Sequence, residues 1–242
     1  MHLMKFIKQD QVKKYTRATE WYHSSVALTQ ANKFESVDYF IVCSEEKPIG
    51  HPWEWDQTPM LKIGCSSGKG FGMSDDSMSN KFRTKRRKGT SQPKDRLGDH
   101  LIIMRDGPTA NQIKKNIGNL AGAWAPVFEK YGYGPKLMKN VWVCFLVPTE
   151  SMNFRDSSMF CEWLEIISIN EHIHKFQGSA PLADLKYQSM ADKERRDLCL
   201  QKENAFKSRS SRFANDEDYI DKVTNNSKNF NSFPVDLEPF LV

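Results

Sequence analysis

Three short runs of β-branched and aromatic residues set the terms on which this chain can fold: Val37–Cys43, Met60–Cys65 and Asn140–Val147. Residues of this kind pack well on a pleated surface, and turn-prone sequence bounds the runs, so each reads as a strand. Ser44-Glu45-Glu46-Lys47-Pro48 ends the first run and Pro148 ends the third. The first two runs pair as a hairpin with a long connection that contains Trp and Pro.

The sequence around the strands has helical spacing. Pro93 suits a first helical position, and Leu97, Leu101 and Met104 follow at intervals of three and four, so residues 93 to 105 read as a helix despite Gly98. A second helical stretch covers about 109 to 130. Asp156-Ser157-Ser158 is an N-cap signal for a helix that runs to Phe176, before Gly178 and Pro181 stop it. Between residues 5 and 35, Val12, Tyr15, Ala18, Tyr22 and Val26 return at three- and four-residue spacing, which predicts one or two amphipathic helices. Beyond Asp184 the sequence turns strongly charged, as in a peripheral helix followed by an irregular tail. The expected class is α+β: a small, mostly antiparallel three-stranded sheet flanked by helices, with helical N-terminal and C-terminal additions. The corresponding segments are 1–35, 36–187 and 188–242.

A length of 242 residues with 39% apolar content suffices for one substantial core or two small ones, which excludes a wholly disordered chain. No run approaches the roughly 18 to 20 apolar residues of a membrane span, and Met1 leads into polar sequence rather than a signal-peptide segment. The five cysteines, Cys43, Cys65, Cys144, Cys161 and Cys199, are odd in number and scattered, mostly in apolar runs. They spell neither a disulfide framework nor a zinc ribbon. The expectation is a cytoplasmic, reducing location without a membrane partner.

The formal charge of +5 is modest, but its distribution is uneven. Lys81 to Arg96 holds eight Lys or Arg in sixteen residues, among them Arg83, Lys85, Arg86, Arg87 and Lys88. Such a cluster can neutralise several phosphates. Phe82 is its one aromatic residue, so contact with the backbone of double-stranded DNA fits better than base stacking on single strands. A solvated loop is the bland alternative.

Gly64-Cys65-Ser66-Ser67-Gly68-Lys69-Gly70 looks like a phosphate loop but is one residue short of the Walker spacing and has Gly70 where Ser or Thr is needed. His172 and His174 fall on different helix faces and read as structural rather than as zinc ligands. The helix between Asp156 and Phe176 is apolar nearly all round, so its carboxylates Glu162 and Glu165 need an explanation. Taken singly, Tyr39 is an ordinary strand aromatic and Arg96 with His100, four apart, a solvated helix face. Glu165 alone is a residue favoured early in a helix.

Taken in order, these residues resemble the GIY-YIG nuclease superfamily over about residues 36 to 185. Val37-Asp38-Tyr39 stands for the first motif and Lys62-Ile63-Gly64 for the second. Arg96-Leu97-Gly98-Asp99-His100 is similar to the restriction-enzyme branch. Glu165, or alternatively Glu162, stands for the metal-binding glutamate, with Pro181 and Asp184 beyond it. The resemblance implies a metal-dependent DNA endonuclease of type II restriction character. Tyr39 and Lys62 would handle the attacking water and its proton, and Arg96 the scissile phosphate. His100 would orient a neighbour, and Glu165 would bind one Mg²⁺ or another divalent cation. Cutting both strands of a symmetric site would favour a homodimer. Lys62 replaces the second-motif tyrosine, Asp184 stands where asparagine is common, and the inter-motif loop is long. Those departures leave open a non-enzymatic alternative, a nucleic-acid-binding or viral assembly protein on a decayed nuclease-like fold.

The basic cluster yields a test of its own. Replacing three of Arg83, Lys85, Arg86, Arg87 and Lys88 by Ala should flatten the slope of log K for DNA against log salt by about 2 to 3. Affinity measured across a salt series checks this, and an unchanged slope would place the cluster in solvent.

Overall fold

In the sheet, the central strand carries apolar residues on both faces because both faces are covered. The computed structural model describes residues 16–34, 36–67, 93–107, 122–148 and 154–209. Strands β1 (Thr16–Ala18), β2 (Tyr22–His23), β3 (Ser36–Cys43), β4 (Lys62–Ser67) and β5 (Val141–Pro148) form one open, entirely antiparallel sheet. Its order is β1-β5-β3-β4, with β2 also on β5, so β4 is an edge strand.

The helices are α1 (Ser24–Ala31), α2 (Pro93–Asp106), α3 (Ala125–Tyr131), α4 (Pro135–Met138), α5 (Phe154–Lys175), α6 (Leu185–Gln188) and α7 (Asp192–Arg209). Along β3, Val37, Tyr39 and Ile41 pack into a cluster with Leu97, Leu101 and Met104 of α2 and with Trp124. Phe40 and Val42 pack on the other face against Leu164 and Ile167 of α5. This is the period-two alternation of a strand with a helical layer on each side. The fold is thus α+β, with the sheet as its middle layer. Among the described residues no helix is long and apolar enough to cross a membrane.

The sheet departs from the three strands expected. The segment read as N-terminal helix supplies two more: Ala18 lies on β1 and Tyr22 on β2, and among its described residues Ser24–Ala31 is the helical part. The outer side of β5 has backbone donors and acceptors that need partners, and this segment meets them. Thr19 N–H donates to Phe145 O at 2.9 Å, and Phe145 N–H donates to Thr19 Oγ1 at 3.1 Å. Two short strands with a bend reproduce a three- to four-residue apolar spacing over so short a span, so tertiary pairing overrides the helical pattern. Val12 and Tyr15 lie outside the described residues. So does most of the helix expected over 109–130, of which α3 and the turn before it are described.

Helix α5 is apolar nearly all round because it lies between the sheet and α7. Phe160, Leu164 and Ile169 are all buried there, and Cys199 of α7 joins the same cluster. The long β3–β4 connection folds back onto α5 as well. Trp53 Nε1 donates to Ser168 Oγ at 2.9 Å, and the Met60 N–H donates to His172 Nε2 at 2.9 Å.

A backbone N–H can only donate, so Nε2 of His172 is unprotonated and Nδ1–H donates to Ser179 O at 3.0 Å. Burial holds this imidazole neutral and brings its pKa down to about 4. The unfolded chain therefore binds more protons than the folded one between that value and about 6.5. His172 gives its full stability contribution above pH 6.5 and loses it as pH falls toward 4, a difference of about 3 kcal/mol. In chemical denaturation at pH 7 and pH 4, the parent should lose about that much more stability than a His172→Gln variant. Equal losses would mean that the ring is not held neutral.

Candidate active site

The candidate site is built where the free edge of the sheet meets a strand position with no side chain. Tyr39 on β3 is opposite Gly64 on β4. A Cβ at Gly64 would stand 2.4 Å from Tyr39 Oη and 2.5 Å from its Cζ, so the ring crosses β4 over the bare glycine. The hydroxyl is thereby carried across onto the edge strand, with the whole of Tyr39 buried.

Helix α2 brings two groups to that oxygen. His100 Nε2 lies 2.9 Å from Tyr39 Oη, and Arg96, one turn earlier and more exposed, also hydrogen-bonds to it. Trp124 settles the tautomer. Its indole N–H, which can only donate, reaches His100 Nδ1 at 3.1 Å. Nδ1 is then the acceptor and the proton sits on Nε2, which donates to Tyr39. Burial pushes the His100 pKa well down, with the charges of Lys62 and Arg96 acting in the same direction, so the ring is neutral. Tyr39 Oη thus receives two N–H groups and its own proton points away from both. Burial raises the Tyr39 pKa well above the ordinary phenol value, and the Arg96 charge opposes that rise.

Lys62 lies on the same face of the sheet as Tyr39, since it pairs with Ile41 and strand residues two apart share a face. It is ion-paired with Asp184, whose other oxygen accepts the Ile63 N–H at 3.1 Å. Both partners are largely buried, at 13% and 3% side-chain exposure, so neither charge could stand there without the other. Asp184 is delivered by an extension of the edge: Leu182 and Ala183 donate to the carbonyls of Met60 and Leu61 at 2.9 and 2.8 Å. Burial raises the Asp184 pKa, and Lys62 pulls it back.

Glu165 on α5 closes the cluster. It accepts the Cys65 thiol at 3.2 Å, is half-buried, and lies within electrostatic reach of Lys62, Asp184 and Arg96. Burial raises its pKa while the Lys62 and Arg96 charges lower it. Glu162, its rival, pairs instead with Lys202 of α7 at 2.7 Å. The structure therefore brings Tyr39, Lys62, Arg96 and His100 to one side of the sheet, with Glu165 within electrostatic reach of them from the α5 side. Arg83, Lys85, Arg86, Arg87 and Lys88 lie outside the described residues.

Sequence reasoning did not single out Trp124, Cys65 or Asp38. Asp38 is fully buried on the α5 face, beside the Cys161 thiol and opposite Cys65, and neither of its oxygens meets a nitrogen or hydroxyl partner among the described residues. Burial pushes its pKa well up, so it holds a proton. A lone aspartate inside an apolar strand was the available signal. Among the described residues, no group of three or more His, Cys, Asp or Glu is arranged to hold a metal ion. Any ion at this edge would rest on Glu165 as a single hard oxygen ligand. Comparison with family models, curated proteins and solved structures gives no match to the chain.

The Trp124–His100–Tyr39 chain can be tested directly. Long-range ¹H–¹⁵N spectra of the parent should show His100 with a bare Nδ1 and a protonated Nε2. In Trp124→Phe, which keeps the ring but removes the donor, the two nitrogens should move toward averaged shifts. A protonated Nδ1 in the parent would overturn the assignment.

Proposed function

We propose that this protein is a divalent-metal-dependent endonuclease of double-stranded DNA, built like a GIY-YIG nuclease of the restriction-enzyme branch. One observation carries the reading: a tyrosine hydroxyl crosses a glycine onto the edge strand, receives N–H groups from an arginine and a neutral histidine, and lies within electrostatic reach of a glutamate. Phosphodiester hydrolysis calls for a group to manage the proton of an attacking water and for fixed positive charge at the phosphate.

Tyr39 suits the first task. With its own proton first given up to solvent, the phenolate Oη would take the proton of the attacking water, and the N–H groups of His100 and Arg96 already point at the negative charge it carries before that transfer. Arg96, on the exposed side of the cluster, is placed to hold the scissile phosphate through its planar donor fork. Lys62 is engaged as an ion-paired donor, which suits charge stabilisation better than the proton abstraction expected from its motif position. Glu165 would hold the Mg²⁺, in keeping with the habit of that ion of taking one or two carboxylates and completing its shell with phosphate oxygens and water. The bound ion would relieve charge on the leaving oxygen.

The two departures from the motif are partners. A lysine at 62 and an aspartate at 184 neutralise one another in a site where either alone would be a buried, unpaired charge. A compensated pair of this kind supports an intact site over a decayed one. Cleavage of both strands of a symmetric target would follow from a homodimer.

Supercoiled plasmid incubated with Mg²⁺ should be nicked or linearised, and chelator should prevent it. Tyr39→Phe should cost about 10²- to 10⁴-fold in rate, the range for removing a general acid–base group. Glu165→Ala should abolish cleavage while DNA affinity stays equal or rises slightly, since a negative charge near phosphate disappears. Glu162→Ala should cleave like the parent. Loss of activity in Glu162→Ala with retention in Glu165→Ala would refute the assignment of roles.

A further inference from the structure

A second tyrosine, which the proposed chemistry does not use, stands beside the cluster. Tyr187 lies on α6, the short turn that follows Asp184 directly. Asp184 occupies the N-cap of that turn, but its carboxylate does not cap it, being engaged by Lys62 and by the Ile63 N–H. The N–H groups of Tyr187 and Gln188 go to the Asp184 carbonyl at 2.9 and 3.3 Å, and the Ala180 N–H donates to Gln188 Oε1 at 2.9 Å. The turn is thus fastened to the residue that holds Lys62, which keeps Tyr187 at the β4 edge.

Ring and hydroxyl have different surroundings. The residue is 9% exposed, and it joins the buried cluster that contains Ile63 of β4 and Leu164 and Ile166 of α5. Among the described residues its Oη has no hydrogen-bond partner, and the oxygen is not sealed from solvent. Packing accounts for an aromatic ring here. It does not account for the hydroxyl, since a phenylalanine would fill the same space. Tyr39 differs in this respect, because its oxygen already receives His100 and Arg96.

The charges around the hydroxyl decide what it can hold. Glu165, Asp184, Cys65 and Arg96 lie within electrostatic reach of it. Burial raises its pKa and the two carboxylates add to the rise, so the group keeps its proton and acts as a donor. The exposed Lys186 ammonium, 5.4 Å from the ring centroid, brings a cation to the same turn. Lys62 offsets the charge of Asp184, and in the nuclease reading the divalent cation offsets that of Glu165.

A donor in this setting suits an acceptor that carries negative charge. Nucleic acid presents one at every phosphate, and tyrosine hydroxyls are among the groups that bond to it. Tyr187 shares the α5 side of the edge strand with Glu165, so a phosphate bound there need not reach the opposite face of the sheet.

We propose that Tyr187 is a substrate-binding residue whose hydroxyl donates to a phosphate oxygen of the DNA strand at the β4 edge, on the Glu165 side. The inference rests on the nuclease reading and adds to it a contact that supplies affinity rather than proton transfer. The hydroxyl is neutral and displaces no counterion, so its loss lowers affinity equally at every salt concentration. A lysine or arginine contact would instead contribute about 0.9 to the salt slope.

Tyr187→Phe tests it, since the variant keeps the ring and removes one oxygen. In chelator, random-sequence duplex should bind about 10-fold more weakly than to the parent, with an unchanged slope of log K against log salt. The midpoint of chemical denaturation should match the parent, because no bond within the protein is lost. With Mg²⁺ and saturating protein, the single-turnover cleavage rate should match as well. Parent-like affinity in the variant would overturn the proposal and leave the nuclease reading standing. A lowered denaturation midpoint would also overturn it, by giving the hydroxyl a partner inside the protein. Weaker binding by the variant, with no cleavage by the parent, would retain the contact and remove the nuclease reading. A parent that binds no duplex would remove both.

Discussion

Tyr39 crosses β4 at the one place where the strand has no Cβ, and the rest of the site is organised around that crossing. Any side chain at position 64 would occupy the space of the phenol oxygen and carbon atoms. Because the ring passes over the edge strand, a residue from the centre of the sheet carries its hydroxyl across to that strand while the whole side chain stays buried. Helix α2 then needs only to lie along that face for Arg96 and His100 to meet the oxygen. Trp124, packed behind His100, fixes the proton on the correct nitrogen. Tyr39, His100 and Trp124 are held rigid because each is also buried in the core.

The electrostatics of the edge follow from burial. Carboxylates at 165 and 184 are each pushed toward protonation by loss of water, and the cations at 62 and 96 draw them back. Removing one member would expose the desolvation cost of another, so these side chains form a unit rather than a set of independent contributions. Asp38, whose oxygens meet no nitrogen or hydroxyl among the described residues, is pushed by burial toward its protonated form in an apolar layer. A proton held there next to two thiols adds no net charge to the α5 face.

Much of the fold was legible because strand signals and burial coincide. Val37–Cys43 and Asn140–Val147 are continuous apolar runs because both sheet faces are covered, so propensity and environment agreed. The N-terminal strands were illegible for the opposite reason. Nothing local marks Thr16–Ala18 as β structure; it is β because β5 has an open side to which Thr19 and its neighbours can hydrogen-bond. The tryptophans of the β3–β4 connection looked like loop residues, and only the packing of that loop on α5 gives them a common surface.

The sequence by itself determined the strands at 37–43 and 140–147, the helix carrying Arg96 and His100, and the order in which candidate groups follow one another. Local propensity and period are enough for that. It did not determine which glutamate enters the site. Glu162 and Glu165 are three residues apart and only about 60° apart around a helix that is apolar on nearly every side. No pattern within such a helix says which side will face the sheet. The tertiary structure decided, by setting α5 between the β4 edge and α7, so that one carboxylate turns toward Lys62 and Arg96 and the other toward Lys202.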